Sequence, residues 1–102
     1  MRLIWAPRAI ARAAEIAQYI AADRPAAAKR WVQGLFAKAA TLRRHARLGP
    51  RVPEIDRDEM RQVPYGKYRI IYRIDPKRVV VLTVRHTARE WDPAEVEPEG
   101  EA

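Results

Sequence analysis

The 102-residue chain contains no cysteine. Disulfides and thiolate-bound metals are thereby excluded, so stability must come from packing, as in proteins of reducing compartments. No apolar run approaches the ~18 residues of a membrane span. Arg8 and Arg12 interrupt the N-terminal apolar stretch that a signal peptide would require. Acids are scarce in most of the chain. Residues 1–89 hold seven Asp or Glu against all 20 Lys and Arg, a balance of +13, whereas residues 90–102 hold six acids and no base.

What is present is a chain that is 48% hydrophobic, enough for one domain with its own core. A body this basic points to a polyanionic partner, either nucleic acid or an acidic protein segment. A soluble Arg-rich surface with no such partner has the same composition. The expected location is a reducing cytoplasm, away from membranes.

The punctuation of the chain gives its elements. Residues 2–6, RLIWA, read as a short strand ending at Pro7. A helix is expected from about 8 to 22, with Ala9, Ala13, Ile16 and Ile20 on one face. DRPA at 23–26 ends it and starts a second helix to about 44, with Ala28, Val32, Leu35, Ala39 and Leu42 as its stripe. Residues 45–59 read as a loop, 59–63 as a strand, PYG at 64–66 as a turn, and 67–74 and 78–86 as two strands joined at 75–77. The fold class is therefore α+β in the order β-α-α-β-β-β. A helical hairpin packs on a small, mostly antiparallel sheet. One domain spans 1–89, and 90–102 forms an acidic tail.

Alternation along the strands sorts the charges. Tyr68, Ile70, Tyr72 and Ile74 share one face, and Lys67, Arg69, Ile71 and Arg73 the other. A three-residue loop would set Tyr68 opposite Val84, Ile70 opposite Leu82 and Tyr72 opposite Val80, all toward the helices. Lys67, Arg69, Arg73 and Arg85 would then crowd the far face, with Arg61 beside them. Such crowding costs stability unless anions relieve it. The expectation is that the far face holds phosphates or acidic side chains, and that EWDPAEVEPE at 90–99 folds over it as a partial screen. Long Arg stems merely covering the sheet is the plainer alternative.

Three segments carry a resemblance: GPRVPE at 49–54, MRQVPYGKYRIIYRID at 60–75 and VVVLTVRHTAR at 79–89. With RLIWAP at 2–7 and ADRPAAA at 22–28, they resemble the RelE/ParE toxin superfamily of type II toxin–antitoxin systems, over about residues 2–89. The resemblance implies a toxin that binds a cognate ParD- or RelB-like antitoxin through an acidic or amphipathic segment, in a hetero-oligomer. It implies no cofactor and no metal, and the cytoplasm of a bacterium or archaeon as the location. It also implies one of two targets: mRNA on the ribosome, cut by RelE-like members, or DNA gyrase, poisoned by ParE-like members that are not nucleases. A non-toxic basic nucleic-acid-binding module with the same fold is the further alternative.

Metal-independent RNA cleavage needs a proton acceptor, a proton donor and cations around the phosphate. By the resemblance, Glu54 in the P-E dipeptide, Arg69 in the Y-R-I strand and His86 at the end of the last strand hold these positions. Arg69 would grip the phosphate through its planar fork, and His86 would move a proton near neutral pH. Arg61, Lys67, Arg73, Arg85 and Arg89 complete the set expected to bind a polyanion or the antitoxin. Thr87 and Ala88 follow His86 where RelE-like nucleases often carry a stacking Tyr. Acids 54, 56, 58 and 59 stand where several nucleases depend on lysines. These departures favour the ParE-like, gyrase-directed reading.

Overall fold

The computed structural model describes residues 1–96. Strand β1 (Arg2–Trp5) leads into helix α1 (Pro7–Ala21) and helix α2 (Pro25–Ala40). Strands β2 (Met60–Tyr65), β3 (Tyr68–Ile74) and β4 (Arg78–His86) follow. Each helix starts with proline at its first position, where a missing N–H leaves nothing unsatisfied. Arg24, just before Pro25, lies outside the helical region (φ −140°, ψ 81°), which proline disfavours in its predecessor, and this separates the two helices. Helix α2 ends earlier than its apolar periodicity suggested. It tightens at Thr41–Arg43 into one 3-10 turn, which still buries Leu42.

The four strands lie in the order β1-β4-β3-β2. β1 runs parallel to β4, while the β4–β3 and β3–β2 pairs are antiparallel. β2 runs two residues further than expected and includes Pro64 opposite Arg69. Proline is tolerated there because β2 is the outermost strand and Pro64 owes no N–H to a neighbour. The turn that follows is carried by Gly66, whose positive φ of 57° glycine adopts without strain. Lys67 therefore belongs to a turn and not to a strand face. The first half of β2 is not left open. Val52 donates to Met60 and Gln62 donates to Pro50, so residues 50–52 cover that edge.

The β3–β4 register differs from the expected one. Tyr68 faces His86, Ile70 faces Val84, Tyr72 faces Val81 and Ile74 faces Val79, with an irregularity between Ile71 and Tyr72 that leaves Leu82 as the extra residue. The loop alone could not reveal this, because VVVLTV is apolar at nearly every position and alternation carries no signal in it. The consequence is large: both faces of the sheet are cores. Toward the helices, Ile70, Tyr72, Val79, Val81 and Val84 pack with Ala9, Ala13, Leu35, Ala39 and Leu42. On the other face, Val52, Met60, Ile71, Val80 and Leu82 are covered by Trp91 and Val96. The open cationic face expected there is a second, smaller core.

Gly34 lets α2 come close to Tyr65 of β2. A Cβ there would collide with the Tyr65 hydroxyl, which donates to the Trp31 carbonyl at 2.8 Å. The contact is between helix and strand, not helix and helix. Among the described residues, no helix is long and apolar enough to cross a membrane.

Candidate functional site

Arg69 in β3 lies directly opposite Arg85 in β4, two like charges that would repel if left alone. Each is answered separately. Arg69 grips Glu54 with its fork, Nη2 to Oε2 at 2.6 Å and Nη1 to Oε1 at 3.1 Å, and donates to Gln62 Oε1 at 2.6 Å. Its guanidinium lies 5.5 Å from the centre of the Trp91 ring, and the Trp91 indole N–H donates to Glu54 Oε2 at 3.1 Å. Arg69 is thus buried among Glu54, Gln62 and Trp91. The Arg69 hydrogen bonds, with help from Trp91, overcome partial burial and hold the Glu54 carboxyl at about 2.

Arg85 is answered by the chain's last described segment. Asp92 caps a short 3-10 turn, Pro93–Glu95, by accepting from the Ala94 N–H. The turn places Glu95 between α1 and β4. There its carboxylate meets Arg85 at 3.3 Å and Arg12 at 3.1 Å, and accepts from the Thr83 hydroxyl at 2.7 Å. Burial would raise the Glu95 carboxyl, but the hydrogen bonds from Arg12 and Thr83 and the charge of Arg85 bring it below its usual range. Residues 97–99 of the expected screen lie outside the described residues.

The remaining cations are dispersed. Arg61 faces Tyr72 across the ladder and so lies on the helix side, contrary to expectation. It is held by Asp58, at 2.7 Å, and by the Gly49 carbonyl. Arg73 pairs with Asp75 at 2.7 Å, which lowers the Asp75 carboxyl. Lys67 and Arg89 are exposed and have no carboxylate partner among the described residues.

His86 follows Arg85 in β4, so it points to the opposite face, beside Tyr68. Its ring meets the Tyr68 ring edge-on at 5.3 Å, and Tyr68 meets Trp31 in the same way at 5.4 Å. The Ala88 N–H donates to His86 Nδ1 at 3.1 Å. A neutral imidazole so held carries its proton on Nε2. His86 opens on a groove of about 420 Å³ between the second half of α1 and the end of the sheet. The three residues matched to a nuclease set are therefore not one constellation. Glu54 and Arg69 form an ion pair on one face, and His86 stands on the other. Thr83 and Gln62 escaped the sequence reading, and Glu95 lay within the segment expected to screen the face without being singled out. Gln62 is diagonal to Arg69 once the β2 boundary is right, whereas nothing in the tail's spacing singles out Glu95.

Comparison with known proteins adds to this geometry. The family model described as ParE toxin of type II toxin-antitoxin system, parDE, matches residues 3–91. Among solved structures, the chain is similar to one from the chromosomal ParDE toxin–antitoxin system of P. aeruginosa. The identity is 20% and the TM-score 0.73, over 84% of this chain and 95% of that one, which speaks to the fold. No curated protein matches in sequence.

Proposed function

Because the chain belongs to the ParE toxin family of type II toxin–antitoxin systems, we propose that it arrests growth by binding DNA gyrase and that a cognate antitoxin neutralises it. In this reading it acts in the cytoplasm without cutting RNA. The observation that supports the absence of cleavage is the separation of Glu54 and Arg69 from His86 by the sheet. In-line attack of a 2′-hydroxyl needs its acceptor, donor and phosphate clamp around one phosphorus. Glu54 is also a poor proton acceptor, since Arg69 holds it ionised at about 2. The antitoxin is expected to present an acidic or amphipathic segment to the basic body, in a toxin–antitoxin hetero-oligomer.

The test is inducible expression in a bacterium, with DNA and protein synthesis followed by pulse labelling. The expected result is an early fall in DNA synthesis, with mRNA intact. An early collapse of protein synthesis with fragmented mRNA would favour a ribosome-dependent nuclease instead. Unimpaired growth would favour a non-toxic nucleic-acid-binding module.

A further inference from the structure

The groove beside His86 is built from two turns and one helix. The turn after β2 brings Lys67, and the turn after β4 brings Arg89; the Thr87 N–H donates to the Lys67 carbonyl at 2.9 Å and ties the two together. His86 sits between them with Nδ1 already engaged by Ala88, which leaves Nε2–H as its free donor. One acid, Glu15, lines the groove, and it is bound to Arg12 at 3.0 Å. Lys67, Arg89 and His86 therefore offer donors and positive charge at a place where no described carboxylate answers them.

The rest of the lining narrows the ligand. Tyr68 is fixed edge-on between Trp31 and His86 and contributes a rigid aromatic wall. Tyr19, 77% exposed near the end of α1, presents a flat apolar ring with no ring partner among the described residues. Among the described residues, Ile16 and Val84 are the only aliphatic side chains in the lining. An amphipathic partner helix would need a row of aliphatic anchor sites, which this groove lacks. Unpaired cations beside a free aromatic face suit phosphodiesters with an unstacked base, since stacking is indifferent to sequence and cations track the backbone.

We propose that this groove binds a short single-stranded stretch of nucleic acid, with phosphates at Lys67, Arg89 and His86 and a base on Tyr19. The site lies on the opposite sheet face from the Arg69–Glu54 pair and requires no chemistry. It is independent of the gyrase reading, which can fail without it.

The experiment is fluorescence anisotropy with the purified full chain and labelled ten-nucleotide strands in roughly 50 mM salt. DNA, RNA and abasic strands serve as probes. Lys67→Ala combined with Arg89→Ala should weaken binding about tenfold or more and flatten the salt slope by about 1.4. Lys29→Ala with Arg30→Ala removes equal charge from the exposed surface of α2 and should change binding far less. Tyr19→Ala should weaken the base-bearing strands about tenfold and leave the abasic strand unchanged. All three variants alter exposed side chains, and circular dichroism checks that they fold. Tighter binding of DNA or of RNA identifies the natural source, and either agrees with the proposal. Undetectable binding by the unaltered chain overturns it, as does equal loss in the two double variants. Capture of a Glu-rich peptide in preference to every strand also overturns it.

Discussion

At the scale of single residues, the central object is the Arg69–Glu54 pair. It resembles part of a catalytic set in sequence, yet its environment is that of a structural clamp. Glu54→Ala leaves a buried guanidinium with only Gln62 and Trp91, and should cost about 2–3 kcal/mol, read as a fall in Tm of roughly 10 °C or more. Replacing both members with apolar residues, Glu54→Leu with Arg69→Met, should recover much of that loss and keep growth inhibition. A folded double variant without toxicity would contradict the structural role. The pair also sets a pH dependence. Glu54 titrates at about 2 in the fold against an ordinary value of 4.5, so between these values the unfolded chain binds more protons. Stability from this group is then complete above about pH 5 and lost as pH falls toward 2. Asp75 and Glu95, also lowered, act in the same sense. Thermal melts from pH 7 to 2 should show a steeper acid loss for the native chain than for Glu54→Gln. Gly34 gives a second residue-scale test. Alanine should gain about 1 kcal/mol of helix propensity, but the collision with the Tyr65 hydroxyl should outweigh it, and Gly34→Ala should melt lower. A higher Tm would mean that Tyr65 moves aside freely.

At the scale of elements, the last segment matters more than its acidic, Pro-rich composition suggested. Trp91 and Val96 close a second core over Ile71, Val80 and Leu82, and Glu95 fastens that cover to Arg12, Arg85 and Thr83. Trp91→Ala should cost about 3–4 kcal/mol, as for a large core aromatic; a change under about 1 kcal/mol would mean that the segment does not hold the face. The order of strands and helices could be read from Pro7, Pro25, the helical stripes and the turn residues, because these are local signals. The β3–β4 register could not. Its decisive feature is an extra residue at Leu82 inside a run apolar at nearly every position, and only packing on both faces fixes it. Alternation placed Arg69, Arg73 and Arg85 on one side, and segment 90–99 was expected to screen that side by charge, whereas Trp91 and Val96 also cover it as a core. Glu54 and Arg69 were singled out in sequence, but not as partners of each other. Their pairing depends on how the 45–59 loop folds, a tertiary matter.

At the scale of the whole molecule, a net charge of +7 acts on encounter rather than on fold. Most cations of the second face are already answered internally, so the charge left for partners lies around the His86 groove and on the helices. Association with the cognate antitoxin should be fast at low salt and slow steeply as salt rises; stopped-flow rates that ignore ionic strength would count against an electrostatically steered encounter. In the reading proposed above, the chain works by holding a protein target, without breaking RNA. The most direct measurement incubates the purified chain with gyrase, supercoiled plasmid and ATP, and translating ribosomes with a defined mRNA in parallel. The expected result is gyrase-linked DNA breaks or lost supercoiling, unchanged by His86→Gln, and an intact message. Specific cleavage of the message, abolished by His86→Gln while gyrase works normally, would contradict it.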